Sequence, residues 1–141
     1  MIDKILELKA GETATGVKNP SFEECSLPGP GATGKMPGTL FLEAIGQLAA
    51  WLIMVTRDFE VRPIIASFGK VEFTGDAEAG DQLVIQVDLK SLHDDSALVE
   101  GEARVGGKTV ARVSHAVCTF VPVEMFHEPE EVKAQYRALI K

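Results

Sequence analysis

Residues 37–56 read "PGTLFLEAIGQLAAWLIMVT". A Pro-Gly turn leads into a run whose apolar residues, from Leu40 and Phe41 through Leu48 and Trp51 to Val55, fall on every side of a helix. The run predicts one helix over 39–56, with Thr39 as the N-terminal cap and Asp58 just beyond the end. At 1.5 Å per residue it spans roughly 27 Å, the width of a small domain. A helix apolar all round is enclosed by protein rather than laid on a surface. Its one polar stripe is Glu43 with Gln47 a turn later. Thr56, Arg57 and Asp58 close the run before it reaches the roughly 18 apolar residues of a membrane span.

The flanking sequence predicts what encloses the helix. Residues 3–19 read as two short strands around Ala10-Gly11, and 20–38 as a loop holding Pro28, Gly29, Pro30, Gly31 and Gly34. Loops this long inside a domain tend to be functional or disordered. After the helix the pattern is almost all strand. "IIASFGKVEFTG" (64–75), "QLVIQVDLKSL" (82–92), "ALVEGEARV" (97–105) and "KTVARVSHAVCTFVPV" (108–123) are four strands, and Gly106-Gly107 joins the last two as a hairpin. The tail "PEEVKAQYRALIK" (129–141) is a short amphipathic helix with Val132, Tyr136, Leu139 and Ile140 on one face. Two strands, one buried helix and four antiparallel strands predict an α+β fold in which a twisted sheet wraps a single helix, the hotdog arrangement. Residues 1–122 form that domain and 123–141 a helical extension.

The 141 residues are one domain's worth, with 45% hydrophobic and 25% charged residues. "MIDKILELKAG" has no basic segment before an apolar core, so no secretory signal is expected. Cys25 and Cys118 are too few and too far apart for a disulfide framework or a metal site, which fits a reducing, cytoplasmic setting. The net charge of −7, from 14 basic and 21 acidic residues, argues against nucleic acid as a partner. No phosphate-binding or dinucleotide-binding glycine loop is present, and the three histidines are scattered. No cofactor, metal or membrane partner is therefore expected.

An ionised carboxylate without a partner in an apolar site costs several kcal/mol or takes up a proton. Glu43 on the oily helix is thus either a satisfied core acid or a proton donor aimed at a tunnel. At the helix start, Pro37-Gly38-Thr39 presents N–H groups without intrahelical partners at the positive end of the dipole. Gly38 permits close approach of a ligand to that backbone, so a thioester carbonyl held there would be polarised. The plainer reading of Pro37-Gly38 is a turn that merely starts a helix.

"MPGTLFLEAIGQLAAWL" resembles the active-site helix of the bacterial 3-hydroxyacyl-[acyl-carrier-protein] dehydratases, whose motif runs His-Phe-Pro-Gly-x-Pro-x-x-Pro-Gly-x-Leu-x-x-Glu-Ala-x-x-Gln. "KILELKAGETATGVKNPSFEE", "FGKVEFTGDAEAGDQLVIQVDL" and "GEARVGGKTVARVSHAVCTF" resemble the family's opening hairpin, its Phe-x-x-Pro-Gly-Asp-Gln stretch and its closing hairpin. The likeness covers residues 3 to about 121; the tail from Val123 looks like an addition. It implies a dimer of hotdogs with a tunnel at the interface for an acyl chain on phosphopantetheine, carried by acyl carrier protein or coenzyme A. Gly38 would hold the thioester carbonyl, Glu43 would be the catalytic acid, and Gln47 its neighbouring glutamine.

One motif residue differs. The family's histidine, the base for the α-proton, falls on Ser26 in "SLPG", or on Gly29 if no gap is placed in the longer loop. Ser26 therefore stands at the substrate without an imidazole, and serine alone is a poor proton acceptor at neutral pH. His115, mid-strand, reads as a sheet histidine, His93 as a solvated turn residue and His127 as part of the tail. Cys25 beside Glu23 and Glu24 is a weak nucleophile candidate. Three readings follow: a dehydratase relative with weak or altered activity, a thioesterase using Glu43 as base for water, and a non-catalytic subunit that pairs with a His-bearing paralogue. In each, an apolar tunnel lined by Phe41, Leu42 and the strand around Phe68 opens near Pro37 and Gly38, and Lys35, Arg57, Arg62 and Lys70 are the candidate docking cations for an acidic carrier.

Overall fold

The computed structural model describes residues 2–26, 34–123 and 128–141. In chain order its elements are β1 (Lys4–Lys9), β2 (Thr13–Lys18), α1 (Phe22–Cys25), α2 (Gly38–Thr56), β3 (Val61–Ser67), β4 (Lys70–Phe73), β5 (Leu83–Leu92), β6 (Ser96–Val105), β7 (Lys108–Pro122) and α3 (Pro129–Leu139). The strands form one antiparallel sheet in the order β1-β2-β5-β6-β7-β3, with β4 also on β7. The sheet encloses α2, which packs on β5, β3, β2 and β6. This is the hotdog arrangement expected from the sequence.

Alternation along the strands fixes which face meets the helix. In β6, Ala97, Val99, Gly101 and Ala103 are buried while the residues between them are not. Gly101 lies against the helix so closely that a Cβ there would sit 2.5 Å from Ile45 Cγ2. On α2 the buried set is Phe41, Ala44, Ile45, Leu48, Ala49, Leu52, Ile53 and Met54, the spacing of one helix face. By length and composition α2 is long and apolar enough to cross a membrane, contrary to the sequence reading, but this face is the core of the domain.

Several boundaries differ from expectation. The helix begins at Gly38 with Pro37 in the capping position, so Thr39 lies inside it and caps nothing. It ends on Asp58 and Phe59, both with positive φ (52° and 62°). The Asp58 N–H donates to Val55 O and the Phe59 N–H to Met54 O, so two of the last carbonyls are satisfied. The strand expected over 64–75 starts earlier, at Val61, and is broken in two at Phe68-Gly69. Opposite the break, His115 has φ 56° and its carbonyl accepts from the Gly69 N–H at 3.0 Å. A Cβ at Gly69 would lie 2.6 Å from the His115 Cβ, so only glycine fits this bulge. The hairpin at Gly106-Gly107 is present, both residues having positive φ.

Where the sequence predicts loop, the structure has the short helix α1. Ser21 caps it: Ser21 Oγ accepts from the Glu24 N–H and the Glu24 carboxylate accepts from the Ser21 N–H, each at 3.0 Å. The rest of the expected Pro/Gly loop, from Leu27 to Thr33, lies outside the described residues. At the other end α3 lies on α2, with Val132 buried beside Met54 and Val123. Tyr136 stacks near Trp51 and Phe59, at 6.0 and 5.7 Å between ring centroids. Ile140, expected on the same face, is exposed and follows the last turn of α3.

Candidate functional site

The face of α2 that turns away from the sheet carries Leu42, Glu43, Gly46, Gln47 and Ala50. Glu43 is exposed there, so the expectation of a helix enclosed on all sides fails within one chain: the sheet curls over one face and leaves the acid's face open. Between this face and β3 runs a groove of about 410 Å³ lined by Leu42, Glu43, Gly46 and Gln47 on one side and by Ile65 and Phe68 on the other. Gly46 brings the walls together, since a Cβ there would lie 2.9 Å from Ile65 Cδ1.

Glu43 is held by a relay. The Gln47 Nε2–H donates to Glu43 Oε1 at 3.3 Å, and Gln47 Oε1 accepts from the Ile2 backbone N–H at 3.1 Å. Because Ile2 supplies a donor, the amide oxygen of Gln47 faces β1 and its NH₂ faces the carboxylate. The other carboxylate oxygen has no partner among the described residues, and Glu43 lines the groove.

Four expected site residues stand elsewhere. Phe41 does not line the groove; it is buried in the core with its ring 6.4 Å from that of Phe73. At Gly38 a Cβ would lie 3.0 Å from Phe73 Cζ, so the close approach that this glycine allows is used by an aromatic ring of the protein itself. Pro37 lies behind it, and its carbonyl accepts from the Leu40 N–H. Ser26 is exposed at the end of α1, its N–H donating to Glu23 O at 3.2 Å. Gly29 is outside the described residues. Leu42, Gln47 and Phe68 are brought together with Glu43, as expected.

No described imidazole reaches this groove. Gly101 faces the helix, so its neighbour Glu100 faces out, and His115 Nδ1 lies 3.7 Å from Glu100 Oε1 on that outer surface. His115 is therefore separated from Glu43 by the sheet. His93 is an exposed turn residue, and its carbonyl accepts from Arg57. His127 is outside the described residues. Burial, with Glu24, Glu78 and Asp81 nearby, pushes the Cys25 thiol up, and burial takes Cys118 to about 11, so neither is an activated nucleophile. Among the described residues no group of His, Cys, Asp and Glu is placed to hold a metal.

The four candidate docking cations are dispersed. Lys35 pairs with Asp76 at 3.0 Å, Lys70 with Glu72 at 2.9 Å, Arg57 lies over the Phe120 ring, and Arg62 lines a different cavity. Lys35 and Arg57 flank opposite ends of a helix roughly 28 Å long, so these residues form no single patch.

Sequence reading missed the buried ion pair that anchors the start of the loop. Lys18, with only 9% of its side chain exposed, reaches Glu24 at 3.0 Å. Burial alone would raise the Glu24 carboxyl, but the Ser21 N–H, the Lys18 ammonium and the Ser21 hydroxyl outweigh it and hold it below its ordinary value. The pair thus contributes stability that is full above the ordinary carboxylate range and is lost as pH falls through the lowered value. Glu24→Gln leaves a buried ammonium without its counter-charge. Because Glu24 keeps 22% exposure, the expected loss is about 1–3 kcal/mol at pH 7, less than for a fully buried pair. Urea denaturation at pH 7 and pH 3 checks this: the gap between wild type and variant narrows at the acid pH.

A family model described as FabA-like domain matches residues 1–114. The 3-hydroxyacyl-[acyl-carrier-protein] dehydratase FabZ of Caldicellulosiruptor bescii is 32% identical over 112 residues, covering 78% of this chain and 80% of that protein. That of Natranaerobius thermophilus is 35% identical over 116 residues, covering 79% and 80%. Among solved structures, a Streptococcus mutans protein bound to acetyl CoA superposes with a TM-score of 0.69 at 10% identity, over 84% of this chain and 88% of that one. The PaaI protein of the Escherichia coli phenylacetic acid degradation operon gives 0.68 at 14% identity, over 84% and 78%. The solved structures share the fold, whereas the family match runs through the helix that carries Glu43 and Gln47, and on that ground the chain belongs to the FabA-like, FabZ-type dehydratase family.

Proposed function

We propose that the protein binds 3-hydroxyacyl and enoyl thioesters of acyl carrier protein or coenzyme A in the groove along α2, as part of cytoplasmic fatty-acid or polyketide-type synthesis, and dehydrates them slowly. The observation that carries this is Glu43, oriented by Gln47 at 3.3 Å, facing an apolar groove with no described histidine on the same side of the sheet. Dehydration breaks a C–H bond at the α-carbon and the C–O bond at the β-carbon. Glu43 is the acid of the step: its carboxyl passes a proton to the departing hydroxyl, which leaves as water. Polarising the thioester carbonyl at the Gly38 N–H requires the Phe73 ring, which packs on Gly38, to leave that N–H open to the substrate. The α-proton requires a base; the motif position for it holds Ser26, so solvent water takes the proton, and the step is slow for that reason.

The same arrangement supports two alternatives. A lone carboxylate is enough to activate water, which gives a thioesterase. A groove that lacks only a base suits a subunit completed by a His-bearing partner, forming a heterodimer. The homodimer is the simplest assembly: β3 is an edge strand, and Ile64 (45% exposed) and Phe68 (41% exposed) stand on it or just beyond, so a second copy would cover apolar surface and pair an open edge.

The test is mass-spectrometric assay of the purified chain with 3-hydroxyacyl, enoyl and saturated acyl thioesters, alongside sedimentation at micromolar concentration. Slow interconversion of the first two by a species of twice the chain mass is the expected result. Hydrolysis of the saturated thioester would select the thioesterase, and a monomer inert toward all three would sink the homodimeric enzyme.

A further inference from the structure

Beyond the groove, the open face of α2 continues under α3, where a second cavity of about 610 Å³ lies between the two helices. That volume is in the range of small-molecule sites, roughly 300–1,000 Å³. Ala50, Trp51 and Met54 of α2 with Val132, Ala138 and Leu139 of α3 form its apolar wall, and Asp3, Gln47, Arg62 and Gln135 form a polar rim. Gln47 and Ala50 line both spaces, so groove and cavity meet on consecutive turns of one helix. From Glu43 to Met54 the helix advances roughly 16 Å. The floor of the second cavity is built by residues 132–139, beyond the 1–114 that match the family. The groove thus lies within the span that matches the family, and its far end lies outside it.

We propose that this cavity receives the distal end of the acyl chain and that α3 sets the longest chain the protein accepts. The inference rests on the thioester reading of the Glu43 groove. A thioester whose carbonyl lies near Gly38 and whose β-carbon lies near Glu43 directs its tail along α2, past Gln47 and Ala50, toward Trp51 and Met54. There the tail leaves water among apolar side chains until it meets Val132 and Leu139. Because α3 lies across the far end of this path, added methylenes gain affinity only up to that contact.

Calorimetric titration with non-hydrolysable acyl-thioether analogues of coenzyme A, from butanoyl in two-carbon steps to hexadecanoyl, tests the proposal on the full chain. Affinity is expected to rise about fourfold per methylene while the tail is being buried, and to stop rising before hexadecanoyl. Ala138→Trp fills the cavity from an exposed position of α3 and moves the break to a shorter chain, leaving the butanoyl analogue bound as before. Leu139→Ala enlarges the cavity and moves the break to a longer chain. A break that is absent, or stays at one length in all three proteins, overturns the role of α3 while leaving the groove as a thioester site. Failure of every analogue to bind, butanoyl included, overturns the thioester reading itself.

Discussion

Glu43→Gln is expected to lower thioester turnover by about 10²–10⁴-fold, the usual contribution of a positioned proton donor, with little change in the affinity for the thioester. The substitution keeps the shape of the side chain and an oxygen able to accept from the Gln47 amide, so the groove stays lined as before. What disappears is the exchangeable proton. Steady-state kinetics with a 3-hydroxyacyl thioester separate the two effects: kcat falls and KM stays. Turnover that survives the change would place the chemistry away from α2.

Ser26→His is expected to raise dehydration, by up to about 10²–10⁴-fold if the imidazole reaches the α-carbon. Ser26 is exposed at the end of α1, whose position is held by the Ser21 cap and the Lys18–Glu24 pair, so a larger side chain meets no packed core there. The gain should appear with a pH profile that follows imidazole, flat above its pKa and falling below it. Combined with Glu43→Gln the gain should be lost, because base and acid act on one substrate in one step. No rise from Ser26→His would mean that position 26 is not the equivalent of the motif histidine, and would shift that equivalence to Gly29.

Much of the fold was legible from hydrophobic period alone. Leu83, Ile85 and Val87 alternate with exposed residues, and α2 shows a long apolar run bounded by Pro-Gly and Asp58, so both announce their elements. The break between β3 and β4 was not legible because it is made by backbone geometry. His115 takes a left-handed conformation against Gly69, and nothing in the alternation of Val113 to Val117 marks it. Helix α1 was missed for its length; four residues carry no period, and only Ser21 and Glu24 hinted at it. Glu43 itself was found, but its surroundings were misread. Apolar residues on the second face of α2 predict burial by the sheet, whereas in one chain they form the wall of a groove and, further along, the seat of α3. Phe41 is expected in the tunnel, yet it stands two residues from Glu43, a step that turns a helical side chain to the opposite face. The relay from Ile2 through Gln47 joins residues 45 apart in sequence, a contact no local pattern encodes.

Trp51 is the chain's one tryptophan, and it lies on the α2 wall beneath α3, beside Tyr136. The fluorescence of the protein therefore reports from a single place. Emission stays blue-shifted while α3 is docked and moves to the red when water reaches the indole. Detachment of the C-terminal helix can thus be followed optically, without a label, apart from unfolding of the sheet, which far-ultraviolet circular dichroism records separately.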